Sequence, residues 1–386
     1  MIKILILIDS ATEFSRRFLS GLIHYAHENG PWFFYRLPKY YKELYGEMGV
    51  VERIKEWNID AVIAQWEYSE VKFLKELNIP VFLQNYEEDT GWFSKISGDY
   101  MEVGAVAANF FAGKRFKNFA FYGNKNFIWS KGRAEGYRRQ VEKLGGNYYY
   151  FESEYLSNSQ WSQHHVELDE WLASLPKPVA VFTCDDYFAL QVAEMCKINN
   201  IDIPNELSLL GVDNDELICN LSYPSISSIV TDDEHIGYTT GKKLHALIIH
   251  KKNIPFNVVK KALRIEQRQS TERYNISNKH IAKIVEHLEK NFTADISIDE
   301  LTRIVPYGRR TLEKKFKKAM GTTMYQFILD KRVEFFSYKL LTTRKSSSDI
   351  AIDAGFSDVR NAYRIFKKKT GYNPSSFRKK NMIFKT

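Results

Sequence analysis

The sequence predicts an α/β body of two doubly wound parallel sheets, followed by a separate all-α domain with two helix-turn-helix motifs. Three observations lead there. Short apolar runs alternate with helical patterns as far as about residue 272, the order expected of parallel strands covered by helices on both faces. That alternation breaks near Gly98 and again at 122–127, which divides the body into two lobes with a cleft between them. The charge then changes sign. From Asn275 onward the 386-residue chain carries 24 Lys+Arg against 11 Asp+Glu, whereas the preceding part carries 31 against 36. A basic module on a mildly acidic body suits a polyanionic partner for the C-terminal part alone.

Taken in order, 3–8 (Lys-Ile-Leu-Ile-Leu-Ile) is a buried strand and 15–28 an amphipathic helix. Strands follow at 33–36, 61–64 and 81–83, with helices at 47–57 and 70–77. A helix over 99–114 leads to the strand 118–122, the helix 132–144 and the strand 148–151. The helix 162–174, the strand 179–183, the helix 187–199 and the strand 208–212 close the run. Residues 1–272 thus form the effector body, 273–279 a short polar linker and 280–386 the helical domain, whose first helix is 280–292.

In the helical domain, 298–305 and 309–319 flank a turn at Pro306-Tyr307-Gly308. Leu312 and Phe316 stand at i and i+4, so one face is apolar while Arg310, Lys314 and Lys317 point elsewhere. The plan repeats after a linking helix at 328–341. Ser348 is placed as the N-cap of 348–354, Gly355 as a left-handed turn residue, and 358–370 as the second recognition helix. A helix that enters the major groove needs an apolar face to hold it and a basic, polar face to meet phosphates and base edges. Arg310, Lys314, Arg360, Asn361 and Arg364 are the candidate base readers, because Arg pairs with guanine and Asn with adenine through two hydrogen bonds. Lys315, Lys318, Lys367 and Lys369 read as phosphate or solvent contacts.

Gly355-Phe-Ser-Asp358, Phe366-Lys-Lys-Lys-Thr-Gly371 and Asn373-Pro-Ser-Ser-Phe-Arg378 stand in the order and spacing of one signature. On these residues the stretch resembles the DNA-binding domain of the AraC/XylS family of bacterial transcription regulators. Two positions depart from that pattern: Phe336 stands where a small residue is usual, and Ala362-Tyr363 where an aromatic usually precedes a small or polar residue. Both imply local repacking.

The body carries a second resemblance. Arg133-Ala-Glu-Gly-Tyr137, Gln160-Trp161-Ser162, Asp185-Asp186, Gly211-Val-Asp213 and Arg268-Gln-Ser-Thr271 follow one another as in the sugar-sensing core of the LacI/GalR regulators and the periplasmic sugar-binding proteins. A periplasmic-binding-protein-like fold is implied, with DNA binding moved to the C-terminus as in regulators of the xylose-operon type. Arg133, Asp213 and Asp185 match the family's sugar-binding positions; an interlobe salt bridge or a helix cap is the other reading of each. Asp186 reads as the N-cap of the helix from Tyr187. Trp161 is a stacking wall or ordinary loop packing. Asp9, Ser10 and Phe14 follow the first strand, at the carboxyl edge where such folds bind ligands. Carboxylates and guanidinium groups suit adjacent hydroxyls, and an aromatic face suits the C–H surface of a sugar ring.

Other chemistry finds little support. Cys184, Cys196 and Cys219 are far apart and form no metal or disulfide pattern. His164 and His165 are adjacent on a helix and cannot face one metal together, and His24 with His27 has no third ligand. Gly237-Tyr-Thr-Thr-Gly-Lys242 misses the phosphate-loop spacing by one residue and reads as helix packing. No nucleophile motif and no membrane span is present, so a soluble, cytoplasmic protein without cofactor or catalytic activity is expected. The expectation is a sugar-controlled, homodimeric DNA-binding regulator, with a pentose as effector and xylose the first candidate. The alternative is a DNA-binding regulator whose N-terminal domain only dimerises or senses a different small molecule.

Overall fold

A computed structural model of the chain describes residues 1–8, 10–37, 40–65, 71–84, 91–153, 161–252 and 254–381. The chain divides into two compact units, Met1–Phe110 with Asn118–Ser270, and Phe111–Lys117 with Thr271–Thr386.

The first lobe of the first unit begins with β1 (Ile2–Leu7), α1 (Glu13–Asn29), β2 (Trp32–Arg36), α2 (Tyr41–Glu56), β3 (Ala61–Ala64), β4 (Val81–Gln84) and β5 (Ser94–Gly98). The helix α3 (Tyr100–Gly113) leads away to the second lobe. There β6 (Asn118–Asn124), α4 (Ile128–Lys143), β7 (Asn147–Ser153), α5 (Trp161–Ser174), β8 (Val179–Thr183), α6 (Asp186–Ile198), β9 (Leu207–Val212), α7 (Glu216–Leu221) and β10 (Ser227–Thr231) follow. Next come α8 (Asp233–Ile249), β11 (Asn257–Lys260) and β12 (Ala262–Glu266). The strand orders are β11-β5-β4-β3-β1-β2 and β12-β10-β9-β8-β6-β7. Strand β11 runs parallel to β5 in the first sheet, and β12 antiparallel to β10 in the second. The chain therefore passes from one sheet to the other at Lys261.

The apolar runs become inner strands because both of their faces are covered. Along β1, Ile4 and Ile6 join one buried cluster with Phe18, Ile63 and Phe82, while Leu5 and Leu7 join another with Val62, Leu83 and Ile54. Alternate residues thus serve opposite faces of the sheet. The run from Gly237 to Lys242 lies in α8, which packs on α1.

Several expectations need correction. The helix expected at 47–57 starts earlier, at Tyr41, and is interrupted at Gly46. The one expected at 70–77 is a 3₁₀ segment over Lys72–Leu77, and residue 70 lies outside the described residues. Strands β5, β10, β11 and β12 were given no range from the sequence; β5 (Ser-Lys-Ile-Ser-Gly) holds a single apolar residue and β12 (Ala-Leu-Arg-Ile-Glu) is broken by Arg264, so neither offers an apolar run.

In the second unit α9 (Lys279–Asn291), α10 (Ile298–Ile304), α11 (Arg309–Met320) and the first part of α12 (Met324–Thr342) enclose one core. It includes Ile281, Leu288, Leu301, Leu312, Phe316 and Phe327. The rest of α12, α13 (Ser347–Asp353), α14 (Val359–Thr370) and α15 (Pro374–Asn381) enclose another, around Val333, Phe336, Ile350 and Phe366. Phe336 is fully buried, with its ring centroid 4.8 Å from that of Phe366. The linking helix is longer than expected, and the cap of α13 is Ser346 rather than Ser348: Ser346 Oγ accepts from the Asp349 amide at 3.1 Å. Gly355 has φ +87° and its missing side chain leaves room for the Thr293 carbonyl, as a left-handed turn there requires.

Candidate ligand site and nucleic-acid interface

Within the first unit, polar groups at the carboxyl ends of the two sheets meet. Arg133 comes from α4, and its side chain is 1% exposed. It donates to the Cys184 carbonyl and, at 3.4 Å, to Asp213 Oδ1. Its Nε has no hydrogen-bond partner among the described residues. Both residues belong to the second lobe, so this ion pair does not bridge the lobes.

Asp213 follows β9 with φ +95°, and Asn214 has φ +52°. Two successive non-glycine residues in this region are costly and persist only where the surroundings hold them. The Arg268-Gln-Ser-Thr271 motif supplies part of the hold. Arg268 donates to Asn214 Oδ1 at 2.8 Å and to the Ile226 carbonyl at 3.0 Å, while Ser270 Oγ donates to the Leu209 carbonyl at 2.6 Å. The motif shapes the turn that presents Asp213.

The cap expected of Asp186 is made by its neighbour. Asp185 is the N-cap of α6, its Oδ1 accepting from the Phe188 amide at 3.0 Å. Asp186 is buried in the first turn, where its Oδ2 accepts from the Asp215 amide at 2.7 Å. A side chain at Gly211 would strike the Asp186 carboxylate, which accounts for the glycine two residues before Asp213. Burial pushes the Asp185 carboxyl up to about 6. Burial acts on Asp213 in the same direction, but Lys260 foremost and then Arg133 outweigh it and hold this carboxyl below its ordinary value.

Lys260, Asp233 and Tyr100 were not anticipated. Lys260 ends β11 in the first sheet, 8% exposed, and its ammonium lies 3.1 Å from Asp213 Oδ1 and 3.5 Å from Asp233 Oδ1. The same ammonium stands 4.3 Å from the centre of the Phe14 ring, and the Tyr100 ring is 5.9 Å from the Arg133 guanidinium. Phe14 is thus gathered with Arg133, Asp185 and Asp213, whereas Ser10 is tied to Arg36 at 2.9 Å. Asp9 and Gln160 lie outside the described residues. Trp161 is the first residue of α5 rather than part of a loop.

In the second unit the two recognition helices are α11 and α14. Arg310, Lys314, Arg360 and Arg364 are exposed and Asn361 is half-buried, on faces opposite Leu312, Phe316, Ala362 and Phe366. Arg364 donates to Asn361 Oδ1 at 2.9 Å, which orients the guanidinium. Lys369 is 2.6 Å from Asp330 on α12, so it is an ion-pair partner within the unit rather than an uncommitted phosphate contact. Arg378, the last residue of the signature, donates to the Leu340 and Lys345 carbonyls at 3.0 and 2.6 Å and closes the end of α12.

Residues 108–271 match the family of periplasmic binding protein-like domains, and residues 301–380 match a helix-turn-helix domain family. The chain is 26% identical over 335 residues to the xylose operon regulatory protein of Haemophilus influenzae, covering 85% of this chain and 87% of that protein. It is 25% identical over 348 residues to the protein of the same name from Escherichia coli K12, covering 86% of each. The solved structure of a xylose-binding transcription activator has the same fold, with a TM-score of 0.60, 22% identity and 98% of both chains covered. No helix among the described residues is long and apolar enough to cross a membrane.

Proposed function

We propose that this chain, a periplasmic-binding-protein-like sensor joined to paired helix-turn-helix motifs, is a sugar-responsive DNA-binding transcription regulator rather than an enzyme. Its effector is a pentose, with D-xylose the first candidate, held between the lobes of the first unit by Arg133, Asp185 and Asp213. The observation that carries this reading is the meeting of Arg133, Asp213, Lys260 and Phe14 where the two sheets' carboxyl ends converge. Carboxylates accept pairs of hydroxyl hydrogens, the guanidinium donates in a fixed fan, and Phe14 offers a ring face. Three carboxylates (Asp185, Asp213 and Asp233) favour a neutral polyol over a sugar phosphate. Sugar binding alters how the lobes close, and a homodimer presents its paired motifs to repeated DNA sites.

A thermal-shift screen against D-xylose, other pentoses, hexoses and their phosphates tests this. A ligand that binds only the folded state at 100 times its Kd adds about 2.7 kcal/mol. The expected outcome is a shift with a free pentose and none with phosphates, with D-xylose also changing retention of operator DNA in a gel. A shift only with phosphorylated sugars, or no effect of sugar on DNA binding, refutes it.

A further inference from the structure

Lys260 is buried on the first lobe, yet its ammonium lies 3.1 Å from Asp213 of the second lobe, as well as 3.5 Å from Asp233 at the start of α8, the helix that packs on α1. Arg133 and Lys260 both grip the same oxygen of Asp213, Oδ1, from different elements. Two cations on one oxygen fix the carboxylate plane, and so the direction of its other oxygen. Asp233 in turn accepts from Thr231 Oγ at 2.8 Å through Oδ1, while its buried Oδ2 has no hydrogen-bond partner among the described residues.

We infer that Lys260 is a positioning and specificity-determining residue of the sugar site, aiming Asp213 Oδ2 at the ring hydroxyls of a neutral pentose and tying the first lobe to the second through Asp213. This rests on the sugar-sensor reading above. An ammonium in this position also keeps Asp213 ionised, and an ionised carboxylate is the form that accepts two hydroxyl hydrogens. The groups facing Asp213 are Lys260 on β11, Arg133 on α4, Tyr100 on α3, Asp185 and Asp186 at the start of α6, and Asp233 at the start of α8. Three of these are carboxyls that burial pushes up, Asp185 and Asp233 to about 6 and Asp186 well above its ordinary range. Without Lys260, Asp213 is left with Arg133 as its one cationic neighbour among them, and its own carboxyl rises toward theirs.

The test is calorimetric titration of the full-length protein with D-xylose, D-ribose and L-arabinose between about pH 5.5 and 8, with a thermal melt of every variant. For the pentose bound by wild type, Lys260→Gln, which keeps a donor but no charge, should bind at least tenfold more weakly at pH 6. Its affinity should recover as pH rises and Asp213 ionises, more steeply than in wild type, where Asp185 alone gives a shallow rise through about pH 6. Lys260→Arg should restore the shallow wild-type profile, and Lys260→Met should lose affinity at every pH. If the Met variant fails to fold, the Gln and Arg variants decide. Wild-type affinity and the wild-type profile in Lys260→Gln would overturn this inference and leave the sugar reading standing. No binding of any pentose by wild type overturns both.

Discussion

The two ends of this chain use charge in opposite ways. At the proposed sugar site, cations and carboxylates from β11, α4, α6, α8 and the turn after β9 are drawn together from distant sequence positions, and each is committed to another charge or to a backbone amide. On α11 and α14 the cations sit within single helices, exposed and mostly uncommitted. Buried, paired charges give fixed geometry suited to a small ligand whose hydroxyls must be told apart. Exposed cations give reach and attraction, suited to a polyanion that must first be captured and then read.

The sharpest way to break the comparison is salt. Affinity for DNA should fall about 10³-fold or more between about 50 and 200 mM salt if six or more phosphates are contacted, because counterions are released on binding. Affinity for the pentose should change less than twofold over the same range, since buried pairs are only weakly screened. Filter binding and calorimetry read the two responses, and equal slopes would erase the distinction.

Next in size is Asp213→Ala. Losing a buried polar partner costs about 1–3 kcal/mol, and more where a charge loses its ion pair, as Arg133 would, while Lys260 keeps Asp233. The pentose-induced thermal shift should disappear while DNA binding without sugar is retained. An unchanged shift would remove Asp213 from the site.

Within the DNA-reading region the contrast reappears on a smaller scale. Arg364→Ala should relax preference at one position of the selected DNA site, an effect of about 1–3 kcal/mol. Lys367→Ala should weaken binding to all sequences and lower the salt slope by about one. Lys369→Ala should leave that slope unchanged, because its charge is shared with Asp330. Selection from random duplexes followed by salt titration separates the three.

The smallest effect concerns protons. Burial raises the Asp185 carboxyl to about 6, so around pH 6 it is partly protonated. Hydroxyls that donate to it favour the ionised form and lower its pKa, so pentose binding at pH 6 should release a fraction of a proton. Calorimetry in buffers of different ionisation enthalpy measures this; uptake would mean that the carboxyl donates instead. The same shift has a sign in stability. A folded-state value raised above the ordinary carboxylate value gives a contribution fully present below about pH 4 and lost as pH rises through about 6.

What the sequence disclosed follows the same division. The helix-turn-helix faces were legible because a recognition helix carries its apolar and basic stripes within a dozen consecutive residues. Arg133, Asp185 and Asp213 were legible through short motifs that each resemble a known core. Lys260 and Asp233 were not, because their roles arise only when the last crossover brings β11 beside β5 and α8 against α1. The cap was assigned to Asp186 rather than Asp185, since either can cap a helix and only the approach of Gly211 and the Asp215 amide decides which is drawn inside. The run before Arg268 hid its strands for a related reason: β11 and β12 belong to different sheets and meet at a single residue, with no turn signal between them.

Helix α12 gives residues to two hydrophobic cores, Phe327 to one and Leu329 to the other, so its phase is locked at both ends. Inserting one residue between those positions would turn the second core by about 100° and expose its apolar face. Among short insertions, about seven residues, close to two full turns, best restore that face, and they lengthen the helix by about 10.5 Å. On a duplex that rises about 3.4 Å per base pair, the spacing between the two reading heads would then change by about three base pairs. Regulators built on this plan can therefore shift the distance between their paired contacts only in steps, and a DNA site drifting by a single base pair must be met by bending the DNA, not by stretching the protein.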